Sequence, residues 1–155
     1  MTFRLFFVLL RRKQYLLTKN IHVMSKNKIH IEHELRSNSQ SIIWHLISTA
    51  EGLSRWLADD VREDGNSLTL TWGETWSHHE IRKATITGRA KNRYLRFRWD
   101  DEDDPEAYIE LLMEKSDLTN DFILSITDFA EAGDEDQLEE LWADNLERLH
   151  TTTGL

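Results

Sequence analysis

Potential metal ligands are most concentrated at His78-His79-Glu80, where two imidazoles and a carboxylate follow one another. Zinc and related ions are held by such side chains when they converge on one point. Adjacent residues of a strand point to opposite faces, so His78 and His79 cannot both reach one ion unless a bulge interrupts the strand. We therefore interpret one histidine as exposed and the other as half-buried and hydrogen-bonded, and we predict no metal site.

Three further histidines, His30, His33 and His45, lie near one another in the sequence. Two-residue spacing places His30 on the same strand face as Glu32 and Glu34. We interpret this face as a solvated surface rather than a binding site, because alternating charged side chains are typical of the outer face of a half-buried strand.

Basic and aromatic side chains alternate within residues 82–99. In isolation this pattern is typical of a nucleic-acid surface. The next strand carries Glu110 and Glu114 on its polar face, and cross-strand pairing with them neutralises much of the positive charge. We therefore expect a structural role for the run, with one alternative left open, in which Arg96 or Arg98 faces an acidic partner or a ligand carboxylate.

Carboxylates cluster at residues 100–104, which read Asp-Asp-Glu-Asp-Asp. We interpret them as a solvated loop or a weak cation site, since a catalytic pair needs a cleft that shifts its pKa values. Nucleophile-elbow, phosphate-loop and HExxH patterns do not occur. The absence of cysteine excludes thiolate catalysis and disulfides. The sequence therefore predicts no catalytic residues and no cofactor.

Charge is distributed unevenly along the 155 residues, whose net charge is -9. Residues 24–155 hold 14 basic and 28 acidic side chains, and residues 100–155 hold two and 19. This excess of negative charge argues against nucleic acid or an anionic membrane as the principal partner. The lack of cysteine fits a reducing compartment, and we expect a cytoplasmic protein.

The first 23 residues differ in composition, with five bases and no acid. Residues 3–10 are too short and too charged to span a membrane stably, and a signal-peptide cleavage site is missing. We favour the interpretation that translation starts at Met24, so that residues 1–23 are an upstream or leader segment and 24–155 form the domain. A weak amphipathic anchor is the remaining alternative.

Periodicity predicts a strand and two short helices at the start of the domain. Ile29, Ile31, His33 and Leu35 alternate with polar residues, which indicates a half-buried strand. Ser37 is a candidate N-cap with Gln40 at the capping-box position, and Thr49 is a candidate N-cap for a second helix. Gly52 weakens that second helix by about 1 kcal/mol relative to Ala.

A series of strands follows. Asp64-Gly65-Asn66 is a hairpin signal, and apolar alternation predicts further strands over 68–72, 76–87, 94–99, 108–114 and 122–126. The spacing of Ile81, Ala84 and Ile86 suggests a bulge. The period then changes to 3.6 residues, which predicts a long helix from about Asp134, with Gln137 at its capping-box position, to His150. Its apolar stripe comprises Leu138, Leu141, Trp142, Asn145, Leu146 and Leu149.

This order of elements resembles the START-like (Bet v-like) superfamily, within it the branch named after activators of the heat-shock-protein-90 ATPase. The resemblance covers residues 28–150 and implies an α+β helix-grip fold, in which a curved antiparallel sheet wraps around a long C-terminal helix. The segments that carry it are the opening strand with Ile43-Trp44, residues 49–57 (TAEGLSRWL), residues 94–99 (YLRFRW), and Trp142 with Leu146 and Leu149.

The chain departs from that family at two places, with Leu141 where a glycine is common and Asn38 or Ser39 where a proline is common. The family implies a pocket for small hydrophobic, lipid-like ligands between sheet and helix, and no fixed catalytic set. Trp76 also falls near the expected pocket mouth. We expect the pocket wall to comprise Trp56, Leu57, Trp72, Trp99, Ile109, Leu111, Leu138 and Trp142.

The sequence therefore predicts a non-catalytic domain that binds a small hydrophobic ligand. Aromatic side chains that fill the pocket instead of lining it are the structural alternative. A protein-interaction module that uses the acidic C-terminal third is the functional alternative. An enzyme of the cyclase or hydrolase kind is a third, which would need a buried carboxylate or histidine beside a bound ligand.

Overall fold

The computed structural model describes residues 25–74 and 76–155. The predicted leader segment therefore lies outside the described residues. The described part of the chain forms seven strands and three helices in the order predicted for a helix-grip fold. They are β1 (Asn27–Glu34), α1 (Gln40–Ser48), α2 (Ala50–Leu53), β2 (Asp60–Asp64), β3 (Ser67–Gly73), β4 (His79–Ala90), β5 (Tyr94–Trp99), β6 (Ile109–Lys115), β7 (Phe122–Ala130) and α3 (Glu135–Thr153).

The strands form one antiparallel sheet in the order β1-β7-β6-β5-β4-β3-β2. Sequential hairpins connect β2 to β7, whereas β1 pairs with β7 at the far end, with Ile31 opposite Ile126. Alternation along each strand places one set of side chains on the inner face of the sheet. The inner face and α3 enclose the core, and Trp142, Leu146 and Leu149 of α3 are buried there.

One of the two predicted helix caps in this region forms and the other does not. The predicted N-cap at Thr49 is confirmed, since its Oγ1 accepts a hydrogen bond of 3.0 Å from the Gly52 amide. The predicted capping box at Ser37 is wrong, because α1 begins at Gln40 with Ser39 as its N-cap. Ser37 Oγ instead accepts from the backbone N–H of Ser39, at 3.1 Å, in a short turn before the helix.

The strand predicted over 76–87 begins later, at His79. Ile81 is 51% exposed and faces outward, so the interval between Ile81 and Ala84 marks a change of face rather than a bulge. The irregularity in the pairing of β4 with β5 occurs instead between Ile86 and Gly88. Gly88 allows the Tyr94 ring to pack closely, because an added Cβ would lie 3.1 Å from that ring.

Helix α3 extends to Thr153, slightly beyond the predicted end. Gly154 follows with a φ of 78° and its N–H bonds the carbonyl of His150, which is the left-handed C-terminal cap that glycine favours. Asp134 is the N-cap residue, but its side chain caps no backbone amide, so the predicted capping box with Gln137 does not form. Acidic side chains occupy the first turn, where the helix dipole favours them.

Candidate functional site

A cavity of about 100 Å³ lies between the inner face of the sheet and the N-terminal half of α3. Its wall is mostly apolar and aromatic, as in small-molecule sites generally. Six of the eight residues predicted to form the wall line it, and Phe97 and Leu141 add to the apolar surface. The six are Leu57, Trp72, Trp99, Ile109, Leu138 and Trp142. Their contact with a ligand stays a prediction.

The other two predicted wall residues lie outside the cavity lining. Trp56 and Leu111 are both fully buried in the core. The Trp56 ring lies 6.3 Å from that of Trp142, and its indole N–H donates to the carbonyl of Leu46 at 3.0 Å. Trp76, expected near the mouth, is 81% exposed and is not among the lining residues. The alternating sequence pattern predicts which side chains point inward. It does not distinguish the inward side chains that line the cavity from those that are packed in the core.

An aromatic corner forms one side of the cavity. The Trp99 ring lies 6.2 Å from Trp72 and 5.7 Å from Phe97, the latter edge-on. The guanidinium of Arg82 stacks over Trp99 with 4.0 Å to the ring centroid, and it donates to Asp101 at 2.9 Å. Arg82 therefore holds Trp99 by a cation–π contact while keeping its own charge compensated.

The acidic loop predicted to be solvated, residues 100–104, is partly buried at the rim of the cavity. Lys26 binds it twice, because its backbone N–H donates to Asp104 at 2.7 Å and its ammonium group lies 2.6 Å from Glu102. Asp104 also accepts from the amide of Glu106 at 2.9 Å. The prediction of a solvated loop agrees with the exposure of Asp100, Asp101 and Asp103. It is wrong for Asp104, which is buried and bound by Lys26.

Two polar residues occur where the apolar pattern points inward. Asp128 lies on the inner face of β7, where its carboxylate accepts from the indole N–H of Trp142 at 2.9 Å and from the amide of Phe129 at 2.7 Å. Asn145 lies on the buried stripe of α3 and is 6% exposed. Both line the cavity. Their signal in the sequence is a polar residue at a position that the apolar periodicity places inside.

Two arginines of the basic run are engaged within the protein. Arg96 and Glu110 face one another across β5 and β6, and the Arg96 Nε donates to the carboxylate at 2.8 Å. This hydrogen bond raises the pKa of Arg96. Arg98 donates instead to the backbone carbonyls of Asp104, Pro105 and Ala107. Glu114 lies opposite Ile123 of β7. Of the two acids on β6 that were predicted to neutralise the basic run, Glu110 therefore pairs with an arginine of that run and Glu114 does not.

The histidine cluster forms no metal site in the part of the chain that the structure describes. His78 and His79 are both exposed, so the expectation that one of them is half-buried is wrong. His30 lies on the outer face of β1, 3.5 Å from Glu32, and His45 is exposed on α1. Among the described helices, none has the length and apolarity needed to cross a membrane.

A second, more open depression of about 680 Å³ lies beside the C-terminal half of α3. His33 of β1 and His150 of α3 both border it. Burial, and to a smaller extent the charge of His150, lower the pKa of His33. Charged residues form much of the remaining border, namely Glu32, Glu34, Arg36, Asp121 and Glu147. This depression therefore has less apolar surface for a ligand than the cavity at the other end of α3.

Comparisons with known proteins agree with this architecture. The family model described as "START-like superfamily domain" matches residues 23–155. A protein of Bacteroides fragilis, solved by NMR, is 40% identical over 83% of this chain and 92% of its own, with a TM-score of 0.56. No curated protein matches the chain.

Two more distant structures share the fold. The Aha1 dimer of Colwellia psychrerythraea is 18% identical over 83% of this chain and 98% of its own, with a TM-score of 0.61. An AHSA1-like protein of Aeromonas hydrophila is 16% identical over 83% and 92%, with a TM-score of 0.66. The family that the sequence resembled is thereby confirmed: the chain belongs to the START-like superfamily.

Proposed function

We propose that this protein is a non-catalytic binding domain that holds a small hydrophobic ligand between the inner face of its sheet and α3. The observation that carries the proposal is the cavity at that position, whose wall is largely apolar and includes five aromatic side chains. Burial of apolar ligand surface against such a wall is favourable by about 25 cal/mol per Å². The family fold and the apolar lining of the cavity support this role.

The chemistry of the lining supports binding over catalysis. Among the described residues that line the cavity, none carries a hydroxyl, thiol or imidazole group. Nucleophiles of the serine, threonine, cysteine and histidine type are therefore missing from the described lining, and its lysine, Lys26, is paired with Glu102. The buried carboxylate of Asp128 is occupied by Trp142 and a backbone amide, which gives it a structural task.

The size of the cavity sets the size of the ligand. Sites for drug-sized ligands have volumes of roughly 300–1,000 Å³, whereas this cavity offers about 100 Å³. It therefore accepts a small ring or a short branched group. Trp99 and Leu138 are only half-buried, so a longer ligand can extend outward past them.

Native mass spectrometry of the full chain tests the proposal. We expect the folded protein to carry a small molecule that is released on denaturation, and we expect Trp99→Ala to lose it because that substitution removes one wall of the cavity. Trp76→Ala is the matched control, since Trp76 is exposed and lies outside the lining. Equal retention by a folded Trp99→Ala variant and the wild type would show that the ligand lies elsewhere.

A second candidate function is recognition of a basic protein partner. The observation that favours it is the outward face of α3, which exposes Asp136, Glu139, Glu140 and Glu147. Such a surface accelerates association with a positively charged partner and makes binding salt-dependent. The charge-reversal variant Glu139→Lys/Glu147→Lys should release a stoichiometric partner that the wild type retains at low salt. A partner that both proteins retain equally at low and high salt would contradict this role.

A further inference from the structure

Asn145 is a polar residue within the stripe by which α3 faces the cavity. It follows Leu141 and Trp142 by about one helical turn, and all three line the cavity. Its side chain is buried, since Asn145 is only 6% exposed. Within residues 25–74 and 76–155, no protein group hydrogen-bonds its side-chain amide, whose atoms keep some accessible surface, since Ser125 Oγ is the only enclosed side-chain polar atom there without a partner. The amide therefore borders the cavity with both its donor and its acceptor unused.

An amide that protein groups leave unpaired is available to pair with a ligand that enters the cavity. Leucine has nearly the same shape and would complete the apolar stripe without offering that pairing. We propose that Asn145 is the polar anchor of the cavity, and that the ligand is a neutral, ring-sized molecule whose hydroxyl or carbonyl oxygen pairs with the Asn145 amide. This inference rests on the small-molecule binding proposed above.

The charge around the cavity favours a neutral ligand over an anion. Two basic and four acidic side chains line the cavity, namely Lys26, Arg82, Glu102, Asp128, Glu131 and Asp134. The two bases are already engaged, Lys26 with Glu102 and Arg82 with Asp101. A carboxylate that enters this setting meets an excess of negative charge at low dielectric, which is unfavourable. The Asn145 amide, by contrast, donates to a neutral oxygen and accepts from a hydroxyl.

The volume limits the ligand to about one ring. A dry cavity of about 150 Å³ in another protein holds benzene, and this one offers about 100 Å³ beside a half-buried wall. A single six-membered ring with one small substituent fills it once Leu138 or Trp99 gives way slightly. Phenol and toluene are therefore suitable probes, because they have the same number of heavy atoms and differ only in a hydroxyl against a methyl group.

The test is a titration of the full chain with each probe, followed through the indole N–H signals in two-dimensional NMR spectra. We expect phenol to bind about fivefold more tightly than toluene, which is the effect of one hydrogen bond. The Trp142 signal should shift and the Trp76 signal should not, since Trp142 borders the cavity and Trp76 does not. In Asn145→Leu the preference for phenol should disappear, while toluene binds within about twofold of wild type.

The outcomes separate this inference from the proposed function. Two results would show that Asn145 is not the polar anchor and would still leave the cavity as a binding site. One is equal affinity of the wild type for phenol and toluene, and the other is a preference for phenol that persists in Asn145→Leu. Failure of both probes to bind overturns the binding site itself. Benzamide and benzoate extend the test to charge: benzamide should bind at least about tenfold more tightly, and equal binding overturns the preference for a neutral ligand. The wild-type comparisons decide the matter even where the leucine variant fails to fold.

Discussion

Replacement of Gly52 by alanine should destabilise the protein, although helix propensity alone predicts the opposite. Alanine in a helix interior is favoured over glycine by about 1 kcal/mol. The structure reverses the sign because a Cβ at Gly52 would lie 2.0 Å from the carbonyl oxygen of His45 and 2.6 Å from the Cα of Leu46. Both contacts are with backbone, so no side-chain rotation relieves them.

The magnitude follows from the movement that alanine requires. Carbon and oxygen atoms in contact need to be more than about 3 Å apart, so α1 and α2 must separate by about 1 Å. The separation disturbs the fully buried Leu53 and Trp56 and the indole hydrogen bond from Trp56 to the Leu46 carbonyl. Overpacking of this kind costs about 3 kcal/mol. After the gain in propensity, we expect a net loss of about 2 kcal/mol.

Urea unfolding followed by tryptophan fluorescence measures this loss as a lower midpoint at an unchanged slope. The matched control is Gly65→Ala in the β2–β3 turn, where an added Cβ meets nothing within 4 Å and only the positive φ of 59° opposes alanine. That control should lose about 1 kcal/mol. A Gly52→Ala variant as stable as the wild type, or more stable, would refute the close approach of the two helices.

Two further predictions concern charged groups. Arg96→Met and Glu110→Gln should each destabilise the sheet. A double-mutant cycle should give a coupling free energy of about 0.5 kcal/mol that falls in high salt, since the pair is partly exposed. Additive effects of the two substitutions would contradict the pairing. The lowered pKa of His33 makes the unfolded chain bind a proton before the folded one does, so stability should fall as the pH drops below the unfolded value of about 6.5. His33 faces His150 and Glu147 of α3 and Asp121 before β7 around the second depression. His33→Gln should flatten this part of the unfolding free-energy profile and His150→Gln should flatten it less; an unchanged profile in His33→Gln would contradict the assignment.

Periodicity predicted the order of the elements and the inward faces because burial of apolar side chains acts on every strand and helix alike. The stripe on α3 and the alternation of β1 are examples, and both occur as expected. Cap chemistry was less decisive, since Ser39 occupies the N-cap position of α1 without a side-chain cap hydrogen bond and the Ser37 hydroxyl bonds within the turn before it.

The polar rim of the cavity could not be predicted in the same way. Lys26 and Asp104 are 78 residues apart, and no local pattern relates them. Asp128 and Asn145 stood in inward positions, but the value of a polar group there depends on what it meets across the interior. The requirement for Gly52 likewise arises from the distance between two backbones, which composition and spacing do not contain.

The pairing of β1 with β7 has a consequence for synthesis of the chain. Strands β2 to β7 can add to one another in sequence as hairpins, whereas β1 finds its neighbour only after β7 has emerged. At a synthesis rate of about 5–20 residues per second, the first strand waits on the order of 5–20 s with Ile29, Ile31 and Leu35 uncovered. Newly made chains are therefore most prone to aggregate during this interval, and the C-terminal quarter of the protein ends the exposure of its N-terminal strand.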